Sequence, residues 1–330
     1  MATSGSYDYS RTAANLITIA LENVGVLAAG GTVASADTTT CLARLNLIAK
    51  AYSGTTDFAR GLKYIARQRV TLALAEGQQS YLIGPASSDA RASTQMGRTT
   101  IRTAEAAGQT VLDITATTDT TTYPGTTITM TASDIIGIEQ NDGTIFWTTI
   151  SSTGAGPVVT VGAGLDVAAA AGNYVFWFTS RAQRLLMVES AVLRDENNTD
   201  RQLKVFRTVE EYEAGVADKY ADGDPSCILV EPLRIATRIT LDSQPNDVTK
   251  RIILTGLYPM EDYDASSDDV SFSQEALRFL AWELSFEIWE TYNGNSPWPA
   301  SAEKKRLEAR EVYLNLNPEV SNAYFQPGGV

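Results

Sequence analysis

From Thr103 to Ser180 the chain carries no lysine or arginine, while Glu105, Asp113, Asp119, Asp134, Glu139, Asp142 and Asp166 all fall inside that stretch. The stretch is rich in threonine and is broken by turn signals about every ten residues, in "YPGTTITM", "IIGIEQNDGTIFWTTI", "GPVVTVGAG" and "GNYVFWF". Alternation at Ile135/Gly137, Ile145/Trp147 and Val175/Trp177 sends successive side chains to opposite faces of a strand. These features predict a small all-β module, and the sharp change of composition marks residues 98–180 as an inserted domain. Its "GAGPVVTVGAGLDVAAAAG" reads as turns around a strand, because a phosphate loop needs a Gly-Lys-Ser/Thr that is absent.

The flanks have other periods. Ile17, Ala20, Leu21 and Val24 form one helical stripe, with "AAGGT" at 28–32 as its stop. Leu42, Leu45, Ile48, Ala49 and Tyr52 form a second stripe, with Asp37 as its expected N-cap and Gly54 as its end. Two such helices on a short connection predict an αα-hairpin. From Arg69 the period becomes two. Val70, Leu72 and Leu74, the turn "EGQQ" and then "SYLIGP" read as a β-hairpin. After the inserted segment, "RLLMVESAVLRD", "RQLKVFRT", "SCILVEP", "RIATRITLD" and "TKRIILTGLYPM" read as strands, with a short helix at "VEEYEAGVADKYA".

Near the C-terminus an acidic loop leads into a helix apolar on two faces. Leu277, Leu280, Ala281, Leu284 and Ile288 make a core stripe; Phe272, Phe279, Trp282, Phe286 and Trp289 make a second one, rotated from the first. A helix apolar nearly all round must be buried nearly all round, in its own subunit or against a neighbour. Both readings stay open at this point. Ser271 with Gln274 fits a capping box, which starts the helix near Phe272. Glu261, Asp262, Asp264, Asp268 and Asp269 precede it, where negative charge suits a helix N-terminus. "DYDASSDDVSF" lacks the glycine and final glutamate of a calcium loop. A charged helix, "ASAEKKRLEAREVYLNL", and a loop-like tail close the chain.

Composition narrows the function. A net charge of −13 offers no evident groove for phosphates, whose binding comes mainly from Lys and Arg. The absence of histidine removes His-based triads and His–metal sites. Cys41 and Cys227 are too far apart for metal-ligand spacing and read as small buried apolar residues in a reducing compartment. "MATSGSYDYSR" shows no signal-peptide pattern, and the apolar stretch from Ala13 to Ala29 is interrupted by Thr18, Glu22 and Asn23. A soluble cytoplasmic product, with no cofactor and no metal, is expected.

Several stretches together resemble the head-to-tail adaptors of short-tailed phages, the P22-type tail accessory factor and the T7-like tubular tail adaptor. They are "TAANLITIALENVGVLAAGGT", "LARLNLIAKAYSG" and "LALAEGQQSYLIGP" on one side, and "LYPMEDYDASSDDVSFSQEALRFLAWELSFEIWETYN" on the other. Ser273 stands where that family usually has proline, and either residue suits a helix start. The resemblance covers roughly residues 10–97 and 185–315, and leaves 98–180 outside it.

The resemblance implies an α+β protein with a helical adaptor body, made of an N-terminal αα-hairpin, long C-terminal helices and β-strands, carrying the inserted β domain. The parts are a body at 1–97 and 181–315, the insertion at 98–180, and an extended tail at 316–330. It implies a non-enzymatic virion protein at the head–tail junction, assembled in the host cytoplasm as a homo-oligomeric ring of twelve. That ring would bind the portal protein, extend the channel for packaged double-stranded DNA without specific binding, retain the genome and carry a nozzle or tail fibre. Tyr324 and Phe325 would dock the tail on the portal. The alternatives are another neck or head-completion protein and, more remotely, a glycan hydrolase using paired carboxylates.

Overall fold

In a computed structural model the described residues are 9–54, 67–85, 91–120, 122, 126–218, 221–270, 272, 274 and 276–315. The helices are α1 (Ala13–Val24), α2 (Ser35–Gly54), α3 (Val209–Gly215), α4 (Ala276–Asn293) and α5 (Ala300–Asn315). The strands begin with β1 (Arg67–Ala73), β2 (Ser80–Ile83), β3 (Arg91–Ser93), β4 (Gly97–Thr100), β5 (Val111–Asp113), β6 (Thr118–Asp119), β7 (Ile128–Thr129) and β8 (Ile135–Glu139). They continue with β9 (Ile145–Thr153), β10 (Val158–Val161), β11 (Tyr174–Phe178), β12 (Met187–Arg194), β13 (Asp200–Phe206), β14 (Cys227–Pro232), β15 (Thr237–Leu241) and β16 (Arg251–Leu257). Two compact units result, one from the chain ends up to Arg67 and from Pro259, the other from Gln68–Tyr258.

The larger unit holds an eight-stranded sheet in the order β2-β15-β14-β13-β12-β16-β1-β3. The connection from β1 to β2 shows that this sheet curls. The two strands stand six positions apart, roughly 29 Å in a flat sheet at about 4.8 Å per strand. Seven Cα steps separate Ala73 from Ser80, and even fully extended they reach only about 25 Å. Moreover, the Tyr81 hydroxyl lies 3.0 Å from the Ala75 amide, which donates to it. The sheet therefore wraps toward a barrel. Val70, Leu72 and Leu74 point into its core with Ile228, Ile239, Ile252 and Leu254. The parallel pair of β13 with β14 is bridged by α3, which packs Tyr212 against Phe206.

A six-stranded sheet, β4-β11-β8-β9-β10-β5, forms from the threonine-rich segment. Strand β11 divides its side chains by period two. Val175 and Trp177 enter this sheet's own core, while Phe176 and Phe178 face Ala73 and Met96 of the neighbouring strands and loop. Glycine is required at two places where a tryptophan lies across the backbone. A Cβ on Gly97 would sit 2.3 Å from the Trp177 ring, and one on Gly137 would sit 2.7 Å from Trp147.

These findings correct the expected fold class. The chain is mostly β-strand in large curled sheets, not a helical adaptor body with long C-terminal helices. Only five helices are described, and α4 and α5 run 18 and 16 residues. The physical reason is pairing. Each run between Met187 and Leu257 shows its alternation locally, but nothing local says that five such strands join three earlier ones in one sheet. The expected β1–β2 hairpin fails likewise, since β1 pairs with β3 and β2 with β15.

The smaller unit contains α1, α2, α4 and α5. Thr12 and Asn15 form a capping box at the start of α1, and Gly25, at φ 80°, ends it in the left-handed region. The stop therefore comes before the "AAGGT" stretch. Asp37 lies in the first turn of α2 rather than before it. Leu16, Ile17 and Leu21 are each 1 % exposed against α4, worth about 2 kcal/mol apiece in removed apolar surface.

Candidate docking surface

The acidic loop before α4 stitches helices together. Its backbone carbonyls at Asp268 and Ser266 accept the first free amides of α1, from Ala13 at 2.9 Å and Ala14 at 2.7 Å. Asp268 folds its side chain back onto the amides of Asp264 and Ala265. Asp262 pairs with Lys50 of α2 at 2.8 Å, and Asn46 exchanges two hydrogen bonds with the Tyr263 backbone. Among the described residues no three acidic or cysteine side chains are grouped to hold a metal ion. No described helix is long and apolar enough to cross a membrane.

Helix α4 starts at Ala276, later than Phe272, and Ser271 of the expected capping box lies outside the described residues. Its core stripe, Leu277, Leu280, Ala281, Leu284 and Ile288, is buried throughout. The second stripe divides. Phe272 and Phe279 join the core, Phe279 stacking on Tyr313 of α5 at 4.8 Å and meeting Tyr52 of α2 edge-on at 5.0 Å. Trp282 and Trp289 are half-buried at its margin, and Phe286 is 39 % exposed. The structure thus brings this stripe from the core to the surface along one helix. Tyr324 and Phe325 lie outside the described residues.

Two features of this region were missed in sequence. Trp298, between Pro297 and Pro299, completes an aromatic cluster: it meets Phe286 at 5.5 Å and Trp289 at 5.1 Å, both edge to face. A tryptophan held between two prolines was the available signal. Gly294, at φ 57°, ends α4, and the Trp289 indole N–H donates to the Ser296 carbonyl at 2.7 Å, fixing the turn. Together these elements wall an open groove of about 640 Å³, with Glu287 and Glu290 on its helical side. A smaller groove of about 290 Å³ runs between α1 and α4 beside Trp282, with Arg11 and Arg278 among its lining residues.

The other missed feature is a charge pair. Glu283, 5 % exposed within α4, accepts two hydrogen bonds from Arg306 of α5 at 3.0 and 3.2 Å. Arg306 also forks onto Glu303 and lies 4.3 Å from the Phe286 ring centre. These hydrogen bonds hold the Glu303 carboxyl below its ordinary range and raise Arg306 further. Burial pushes the Tyr313 hydroxyl up to about 12, and raises Tyr52, with the Glu283 charge adding to the effect. The arrangement offers aromatic faces and carboxylates at a surface.

None of the protein families and none of the curated proteins compared with the chain matches it.

Proposed function

We propose that this chain is a structural virion protein, a head-to-tail adaptor that assembles as a ring of twelve beneath the portal. The ring extends the DNA channel, retains the packaged genome and carries later tail proteins; no catalysis is involved. One observation supports the reading above others. The N-terminal helices and the acidic-loop–helix stretch that carry the resemblance lie at opposite ends of the chain, yet fold into one unit. That unit brings aromatic rings to its surface, as subunit and partner interfaces do. Residues 98–180, which lie outside the resemblance, are this chain's own elaboration. A net charge of −13, with no cation between Thr103 and Ser180, suits a wall past which DNA slides without being gripped.

Electron microscopy of the purified protein, alone and with the portal of its virion, tests the proposal. Rings, or rings seated on portal, are expected; a monomer that ignores portal overturns it. The tail is proposed to dock on the portal through Tyr324 and Phe325, so deleting residues 317–330 should abolish portal binding while leaving the helical circular-dichroism signal unchanged.

A further inference from the structure

We propose that the groove at the end of α4 is a receptor for an arginine side chain carried by an extended segment of another protein. Three independent observations lead there, and none depends on the virion role.

The first is local electrostatics that work against the helix. Glu287 and Glu290 occupy the last two turns of α4, where the backbone dipole already presents negative charge, and the last turn holds no basic residue. Each carboxylate so placed is unfavourable against the negative end of the helix dipole. Both are exposed, and neither forms an ion pair with any described residue. A cation between them would reverse the sign of that interaction.

The second is the aromatic lining beside them. Phe286 and Trp289, each one residue before a glutamate on the same helix, both meet Trp298 edge to face and line the groove with it. Aromatic faces attract cations, and a planar guanidinium stacks on them where an ammonium cannot. This surface already uses that chemistry within the chain. Arg306 covers Phe286 at 4.3 Å, and Lys305 covers Trp282 at 5.5 Å.

The third is shape. The groove is open and holds about 640 Å³, more than a single side chain fills. Its floor at Ser296 is fixed by the Trp289 indole, so the site is built before a partner arrives. The excess room suits a side chain with some flanking backbone rather than a small ion.

The test uses the full chain and a fluorescein-labelled Gly-Arg-Arg-Gly peptide, with Gly-Glu-Glu-Gly as control, followed by fluorescence anisotropy at low and physiological salt. The arginine peptide should bind and the glutamate peptide should not. E287Q/E290Q should weaken binding at least tenfold while its thermal midpoint stays level or rises, because the substitutions relieve the helix end. E210Q/E211Q removes the same charge from α3 and should leave binding within twofold. Trp298→Phe, which keeps an aromatic edge, should weaken binding severalfold without unfolding. Binding that persists in E287Q/E290Q, equal loss in E210Q/E211Q, or no binding at millimolar peptide overturns the proposal. If wild-type protein self-associates and the peptide dissolves those assemblies, the arginine belongs to a neighbouring copy, and the assignment to a separate protein is overturned.

Discussion

Replacing Arg306 by methionine should unfold the helical unit selectively. Met keeps much of the side chain's length and its contact with Phe286, but leaves Glu283 at 5 % exposure without its cation. A buried charge stripped of its partner costs roughly 3–5 kcal/mol, because its desolvation is no longer offset. Adding Glu283→Gln should recover most of the loss at pH 7. Urea unfolding followed by helical circular dichroism is the right assay, because α1, α2, α4 and α5 belong to this unit and, among the described helices, only the seven-residue α3 lies elsewhere. A cost below 1 kcal/mol would refute the reasoning.

Tyr81 is 1 % exposed and burial pushes its hydroxyl up to about 12, against an ordinary value near 10. Its share of stability, about 2.7 kcal/mol, should be complete below pH 10 and lost between 10 and 12, and Tyr81→Phe should flatten that alkaline loss in thermal unfolding. Gly97→Ala places a Cβ 2.3 Å from the Trp177 ring and should cost about 1–3 kcal/mol, seen as faster hydrogen exchange in β4 and β11. Replacing residues 98–180 by a Gly/Ser linker should leave a soluble protein with its helical signal intact; aggregation would mean that the Phe176 and Phe178 contacts with Ala73 and Met96 are indispensable to the larger sheet. Duplex DNA should bind more weakly than micromolar at physiological salt, and a tighter, salt-sensitive affinity would reveal a basic surface.

What could be read from sequence was whatever depended on neighbours along the chain. The stripe Ile17, Ala20, Leu21 and Val24 is buried as its spacing required, and so is the core stripe of α4. The alternation of Val175 and Trp177 likewise gave an inward face. Pairing was not legible. The "EGQQ" turn has hairpin chemistry, but β1 lies between β16 and β3, and β2 pairs with β15. Glu283 was hidden for a similar reason. Within α4 it looks like a surface residue, and its partner Arg306 lies on another helix. At the docking surface, Phe286 and Trp289 were visible as a stripe, whereas their meeting with Trp298 depended on a turn set by Gly294 and two prolines.

The division of the helical unit between the chain's two ends also sets a timetable. Helix α1 ends at Val24 and α4 begins at Ala276, so residues 25–275 lie between them. At about 5–20 residues per second, the apolar side of α1 waits roughly 13–50 seconds on the ribosome for its partner. Through that interval Leu16, Ile17 and Leu21 have no α4 to cover them, and chaperones can hold them. A chain cut short by premature termination would never acquire the groove beside Trp289 and Trp298. The surface proposed for partners is therefore one that incomplete copies cannot display.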